Sequence, residues 1–218
     1  MATKKVILIG GGGHASDVLA AYEAVARASG EPHPVIGLLD DKPIDERRFA
    51  HRGVRRIGCA ADLENVGATH FILAVGWPAG RRALWERVSG TNLQPDTIVH
   101  PSASIPPGVP VGEGSVILAN AVASEMASIG RHSYMSNGAL IGHDCTVGDF
   151  VSIMPGAAIS GDTVIENGCT VGTNAAVIQQ VRVGAWATVG AGAIVLKDVP
   201  GGATVVGNPA RIVAGPHR

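Results

Sequence analysis

The chain is 218 residues long, enough for one large domain or two small ones, and its 17 basic and 18 acidic side chains nearly cancel. That balance excludes a general electrostatic grip on nucleic acid or on an anionic membrane surface. With 30 glycines and only 4% aromatic residues, the core has to be built from small and β-branched side chains, which favours a regular, narrow interior.

The opening stretch, MATKKVILIGGGGHA, has two lysines before an apolar run from Val6 to Gly10. That run is too short for a secretory signal and far too short to span a bilayer, so the expectation is a cytoplasmic protein. Val6-Ile7-Leu8-Ile9 reads as a buried strand, the glycines and His14 as a loop, and Val18 to Ala28 as an amphipathic helix. A second strand, Val35 to Leu39, ends in Asp40-Asp41. A third, His70 to Val75, ends at Gly76, and helical patterning follows from Arg81 to Val88. Strands alternating with helices predict a small parallel sheet, a Rossmann-like half. Ligands of such sheets sit beyond the carboxyl ends of the strands, where Gly10 to His14, Asp40-Asp41 and Gly76 all fall.

The loop matches Gly10-x-Gly12-x-x-Ala15, a dinucleotide fingerprint with alanine last, and Asp40 stands near the distance that a ribose contact needs. Three strands are too few for a full dinucleotide fold, so a redox role is a minor reading, beside that of a tight turn needing no ligand. Such glycines still let a backbone approach phosphates or a sugar closely. The cluster Arg47, Arg48, Arg52, Arg55 and Arg56 reads as a solvated loop, with a phosphate contact as the sharper alternative.

From Val99 a repeat of six takes over. Val99, Ile105, Val111, Ile117 and every sixth residue to Val195 are apolar, mostly Ile or Val, and the residue four further on, from Ala103 to Val199, is never larger than Val. A period of six does not keep one face of a 3.6-residue helix, and the density of Gly and β-branched residues disfavours helix as well. The pattern predicts a solenoid of stacked coils with the Ile/Val inward and the small residue beside it. Cys145 and Cys169 fall at the small inward position and read as core fillers; with Cys59 they form no metal-type spacing, and reduced thiols are expected.

Past His100 at its very start, the repeat region contains two histidines, His132 and His143. His143, in Ile141-Gly142-His143-Asp144-Cys145, lies two residues after an inward Ile, which puts it near a coil corner with a carboxylate beside it to orient its ring. His132, in Gly130-Arg131-His132-Ser133, is at another phase and reads as surface or interface. With Cys145 pointing inward and no Ser–His–Asp spacing, nothing calls for a covalent intermediate on the chain.

The run [Ile/Val]-Gly-x-x-[small]-x and the closing Gly207-Asn208-Pro209-Ala210-Arg211 resemble the hexapeptide-repeat transferases. That resemblance implies a left-handed parallel β-helix with three hexapeptides per coil, about six coils here. It also implies a homotrimer that binds acyl-CoA between neighbouring helices. Ile7-Leu8-Ile9-Gly10 with its further glycines and His14, the Asp pair and the strand ending in Gly76 resemble one subfamily in particular. It comprises the N-acetyltransferases of nucleotide-linked 4-amino sugars in the bacillosamine, perosamine and viosamine pathways; the sialic-acid O-acetyltransferases are similar.

The resemblance implies an α/β domain over residues 1–95 that holds the nucleotide sugar and an all-β domain over 96–218 that holds acetyl-CoA, with no metal. It implies His143 as general base with Asp144 as its partner, and Gly12, Gly13, His14, Asp40, Asp41 and Gly76 as substrate contacts. Gly161, Thr173 and Ala191 carry over as acetyl-CoA contacts, mostly through backbone. Two places depart from the subfamily. Ser152 stands where a second histidine contacts acetyl-CoA, and Ser136, with Asn137 next to it, aligns with an asparagine that precedes the catalytic histidine. GDP-perosamine is the favoured acceptor by similarity, ahead of UDP- and dTDP-linked sugars. Competing expectations are a sugar O-acetyltransferase, a γ-type carbonic anhydrase on the same scaffold, and a purely trimerising repeat.

Overall fold

A computed structural model describes residues 3–215. The chain separates into two compact units, dividing after Pro101.

The first unit is a parallel sheet of five strands, β1 (Val6–Ile9), β2 (Val35–Leu39), β3 (Arg56–Gly58), β4 (His70–Leu73) and β5 (Gln94–Pro95), in the order β3-β2-β1-β4-β5. It is two strands larger than the sequence predicts, because β3 and β5 are three and two residues long and lack an apolar run. Val6, Ile7, Leu8 and Ile9 are all buried, as a central strand covered on both faces requires. Helix α1 (Gly13–Ser29) lays Ala15, Val18, Leu19 and Tyr22 into the core and ends at Gly30, whose φ of 76° suits a residue without Cβ. Helix α2 (Pro78–Val88) opens with proline in its first turn, where no N–H is missed. Both helices begin before the apolar periodicity that reveals them, since their first turns lie at the strand ends and carry glycine or proline.

The order reverses at β1: one crossover leads outward through β2 and the other through β4. The crevice beyond the carboxyl ends of β1 and β4 is therefore the topological switch point, where open α/β sheets bind ligands.

The second unit is a left-handed parallel β-helix. Its strands from Val116–Ile117 to Ile194–Val195 are two residues long and pair in parallel three hexapeptides apart, as Tyr134 with Ser152 and Leu140 with Ala158, and an antiparallel pair, Thr204–Val206 with Arg211–Ala214, closes the stack. Each coil therefore contributes one strand to each of three sheets. One sheet holds the strands at Val116, Tyr134, Ser152, Thr170, Thr188 and Thr204, in keeping with the six coils expected.

Every sixth residue from Ile117 to Val195 is buried, with Ala121, Cys145, Ala157, Cys169 and the other small residues beside them. The pattern frays at both ends. Val99, first in the sequence phase, is 37% exposed. The last coil is cut short: Val183 bridges to Val199 and Val189 pairs with Val205, so each partner comes two positions earlier than the regular register would place it. Val199 therefore takes an inward Ile/Val place and not the small-residue place.

The coil turns need left-handed backbone. Among the described residues nine non-glycine residues have positive φ, and they line up in columns a whole number of coils apart: Asn120 and Asn174 with glycines between; Met126, Asp144, Asp162 and Gln180; His132, Phe150 and Trp186. Each costs on the order of 1–2 kcal/mol, offset by the backbone ladder, in which turn amides bond carbonyls of the preceding coil, as Phe150 N–H to Arg131 at 2.8 Å. In the third column rings lie over glycines: a Cβ on Gly168 would sit 2.3 Å from the Trp186 ring, and one on Gly114 2.1 Å from His132. His132 is only 1% exposed and stacks on Phe150 at 5.3 Å between ring centroids. The surface or interface position expected for it is therefore corrected: the ring lies inside the unit. A turn residue is ordinarily exposed, but here the neighbouring ring and the glycine make room for burial.

Candidate active site

His143 follows the strand Leu140–Ile141, at a coil corner, with its side chain 64% exposed. Its Nδ1 lies 2.8 Å from Oδ2 of Asp144. A carboxylate only accepts, so Nδ1 carries the hydrogen, and in the neutral ring it is Nε2 that bears the lone pair. Asp144 has φ 58°, a conformation that a short polar side chain tolerates and that turns its carboxylate toward the preceding ring. The backbone is pinned from both sides: Asp144 N–H donates to Glu125 and Asp162 N–H to the His143 carbonyl. The ring lies over Gly161 one coil later, where a Cβ would stand 2.6 Å from Cε1 and Nε2. Below it, the Cys145 Sγ–H donates inward to the Ser160 carbonyl at 3.1 Å, and burial pushes the thiol's pKa up. Cys169, in the same inward place, is pushed up to about 12 by burial. Neither is a nucleophile.

The other candidates on the coils fall elsewhere in the register. Asn137, Thr173 and Ala191 are exposed and share another corner column, two coils and then one coil apart. Their backbone serves the ladder: the Asn137 carbonyl receives Gly156 N–H, and that of Thr173 receives Gly192 N–H. The Ala191 nitrogen would be 2.6 Å from a Cβ on Gly172, so the backbone there is closely approached. Ser136 is buried, with its Oγ 3.4 Å from the Tyr134 hydroxyl. Ser152 is fully buried in a sheet face, flanked in the ladder by Tyr134 and Thr170.

In the first unit, Gly10 (φ 116°) and Gly11 are demanded by packing: a Cβ would meet the Ala74 carbonyl at 2.7 Å and the Ile44 side chain at 2.4 Å. Gly12 and Gly13 are not. A Cβ on Gly12 would meet nothing within 4 Å, and one on Gly13 only Arg48 at 3.8 Å. These two leave open space at the amino end of α1, where backbone N–H groups are available to an anion. His14 faces Gly76 across the switch point, with its Nδ1 3.2 Å from where a Cβ on Gly76 would be. Burial first, then the nearby Arg81, hold the pKa of His14 down to about 3, so the ring is neutral.

Asp40 has both carboxylate oxygens engaged by backbone, Gly11 N–H at 2.7 Å and Lys42 N–H at 2.8 Å. Asp41 accepts Ala60 N–H and pairs with Arg87 at 2.7 Å, and chiefly that Arg87 bond holds its carboxyl below the usual range. Both carboxylates thus brace the cleft, a cavity of about 180 Å³ whose lining includes Gly10, Asp40, Asp41 and Val75. Much of the basic cluster is structural too. Arg52 grips Glu23 with two hydrogen bonds and reaches Ser16, Arg56 caps the Asp40 carbonyl, and Arg47 pairs with Asp45. Arg81, which sequence reasoning passes over as a helical polar residue, is 2% exposed and donates to the carbonyls of Val75 and Gly76. Among the described residues, no three His, Cys, Asp or Glu side chains gather as metal ligands would.

No curated protein matches the chain. The family of the PglD N-terminal domain matches residues 5–88. The solved structure of PerB from Caulobacter crescentus, in complex with CoA and GDP-perosamine, is similar at 30% identity with a TM-score of 0.86, over 97% of this chain and 98% of that one. The acetyltransferase domain of PglB from Neisseria gonorrhoeae is similar at 33% identity and a TM-score of 0.84, over 96% of this chain and 100% of that domain. The chain belongs to the nucleotide amino-sugar N-acetyltransferases. WeeI from Acinetobacter baumannii is also similar, at 25% identity over 97% of this chain, with a TM-score of 0.81. As an N-acetyltransferase of this family, the protein is an enzyme of acyl transfer.

Proposed function

We propose that the protein transfers the acetyl group of acetyl-CoA to the 4-amino group of a nucleotide-linked 4-amino-4,6-dideoxy sugar, GDP-perosamine by preference. The observation that carries the reading is the His143–Asp144 pair, which presents an oriented, exposed nitrogen at a coil corner. The neutral sugar amine attacks the thioester carbonyl, and His143 Nε2 takes the proton that the nitrogen sheds. Asp144 holds the ring in the required tautomer and stabilises the imidazolium. A backbone N–H holds the oxyanion of the tetrahedral intermediate. Collapse breaks the C–S bond, and the imidazolium returns the proton to the departing CoA thiolate. Transfer is direct, since both helix thiols are buried and their protonated forms favoured.

In this reading residues 1–95 hold the nucleotide sugar. Gly12 and Gly13 leave room for its phosphates, His14 and Gly76 flank it, and Asp40 and Asp41 stand by the nucleoside. Residues 96–218 hold acetyl-CoA through Gly161, Thr173 and Ala191, with Asn137 toward the sugar; Ser152 and Ser136, expected in the same two roles, are buried at 0% and 3% exposure and do not offer their hydroxyls to a ligand. The enzyme works as a homotrimer in the cytoplasm; among the described residues no helix is long and apolar enough to cross a membrane. The preference for GDP rests on the likeness to PerB, whose structure contains CoA and GDP-perosamine. The test is thiol release from acetyl-CoA against a panel of GDP-, UDP- and dTDP-linked 4-amino sugars. Turnover with GDP-perosamine above the others supports the reading; turnover only with hydroxyl acceptors overturns it.

A further inference from the structure

Past Ala74, whose N–H still bonds the Ile9 carbonyl at 2.7 Å, the chain leaves the sheet and turns toward α2. The carbonyls of Val75 and Gly76 are met there by one guanidinium: Arg81 Nη1 donates to them at 2.8 and 3.1 Å. An arginine is almost never this deeply buried unless it is paired, because its charge is costly to strip of water. An apolar side chain would fill the same space on α2 but would leave the two carbonyls without this donor. Gly76, whose carbonyl Arg81 holds, is the residue that closes on His14: a Cβ there would lie 3.2 Å from the ring. His14 in turn stands in the first turn of α1, directly after Gly12 and Gly13. One buried cation thereby fixes the segment after β4 that brings Gly76 up to the His14 ring.

We infer that Arg81 is a positioning residue for the nucleotide sugar: by holding the Val75 and Gly76 carbonyls it fixes Gly76 against His14, and so sets the width of the cleft that receives the nucleotide. The inference rests on the reading that the first unit binds the nucleotide. The guanidinium also adds to burial in keeping His14 neutral, so that the ring meets the ligand as a hydrogen-bonding group and not as a second cation.

The test compares wild type with Arg81→Gln and Arg81→Lys in the full chain, by steady-state kinetics with acetyl-CoA and GDP-perosamine and by calorimetric titration with GDP. Arg81→Gln is expected to raise the KM for the nucleotide sugar and the Kd for GDP about ten- to a hundredfold, the scale of one lost hydrogen bond from a charged donor. The KM for acetyl-CoA and kcat should stay within about twofold. Arg81→Lys, which keeps the charge and the reach to one carbonyl, should recover part of the affinity. Should Arg81→Gln fail to fold, Arg81→Lys carries the test with the same expected split. An unchanged nucleotide KM, or a loss confined to kcat and melting temperature, would show Arg81 to be structural only and overturn the inference. Wild type that binds none of GDP, UDP or dTDP would instead overturn the reading beneath it.

Discussion

The His143 imidazole rests on the α-carbon of Gly161, one coil later, so closely that a methyl group there would come within 2.6 Å of Cε1 and Nε2. Gly161→Ala forces the ring aside. Because the ring is the exposed end of a side chain, it can swing out, but only by giving up its 2.8 Å bond to Asp144. The expected result is a fall in kcat of about tenfold or more with a melting temperature nearly unchanged. Thiol-release kinetics and a thermal melt on the same sample decide it.

His143→Ala should lower kcat by about 10²–10⁴, the usual worth of a positioned general base, with little change in KM for either substrate. Asp144→Asn should cost less, since the base remains and only its tautomer and orientation are released. The side chains are 64% and 49% exposed, so neither variant should lose much stability. Near-normal turnover by His143→Ala would remove it from the mechanism.

Asp40→Asn replaces an oxygen that accepts a backbone N–H by an amide that donates one. Either Gly11 or Lys42 then loses its acceptor. The cost is expected to be about 1–3 kcal/mol, read as a shift of the urea midpoint, together with a raised KM for the nucleotide sugar as the glycine loop loosens. Asp40 would prove to be a ligand contact alone if the KM rose and the urea midpoint did not move.

His14 makes folding pH-dependent. Its pKa is about 3 when folded, against an ordinary 6.5. Above pH 6.5 neither state holds the proton, and this group contributes no slope. Between 6.5 and 3 the unfolded chain binds a proton that the folded chain refuses, so stability falls as the pH falls, by up to about 1.4 kcal/mol per unit. Urea titrations at pH 8 and pH 5 should show this loss in wild type and a smaller one in His14→Asn. Equal losses in the two proteins would mean that the ring is not buried neutral.

The β-helix was legible because its rule is local and repeats. Each inward Ile or Val has the same neighbours one coil away, so Ile141 and Ile159 obey one pattern. Val99 and Val199 broke it only where the stack begins and ends and the neighbours change. The first unit's long strands were equally plain, whereas β3 and β5, too short for a periodic signal, were not. His143 beside Asp144 was readable from two adjacent letters. The burial of His132 was not, because it depends on Phe150 one coil later and Gly114 one coil earlier. Arg81 escaped notice for a similar reason: its partners are carbonyls, which carry no mark in a sequence.

The three-hexapeptide register also fixes the units in which this protein can change length. Inserting or deleting a whole coil would leave every remaining Ile, Val and small residue facing as before, and would keep His143 over the glycine that accommodates it if made elsewhere in the stack. A change of one or two hexapeptides would keep the Ile and Val inward but move every later strand to another sheet, and a change within a strand that is not a multiple of six would break the inward phase of the coils that follow. The contraction before Val199 is found at the last coil, where few residues remain downstream to be thrown out of register.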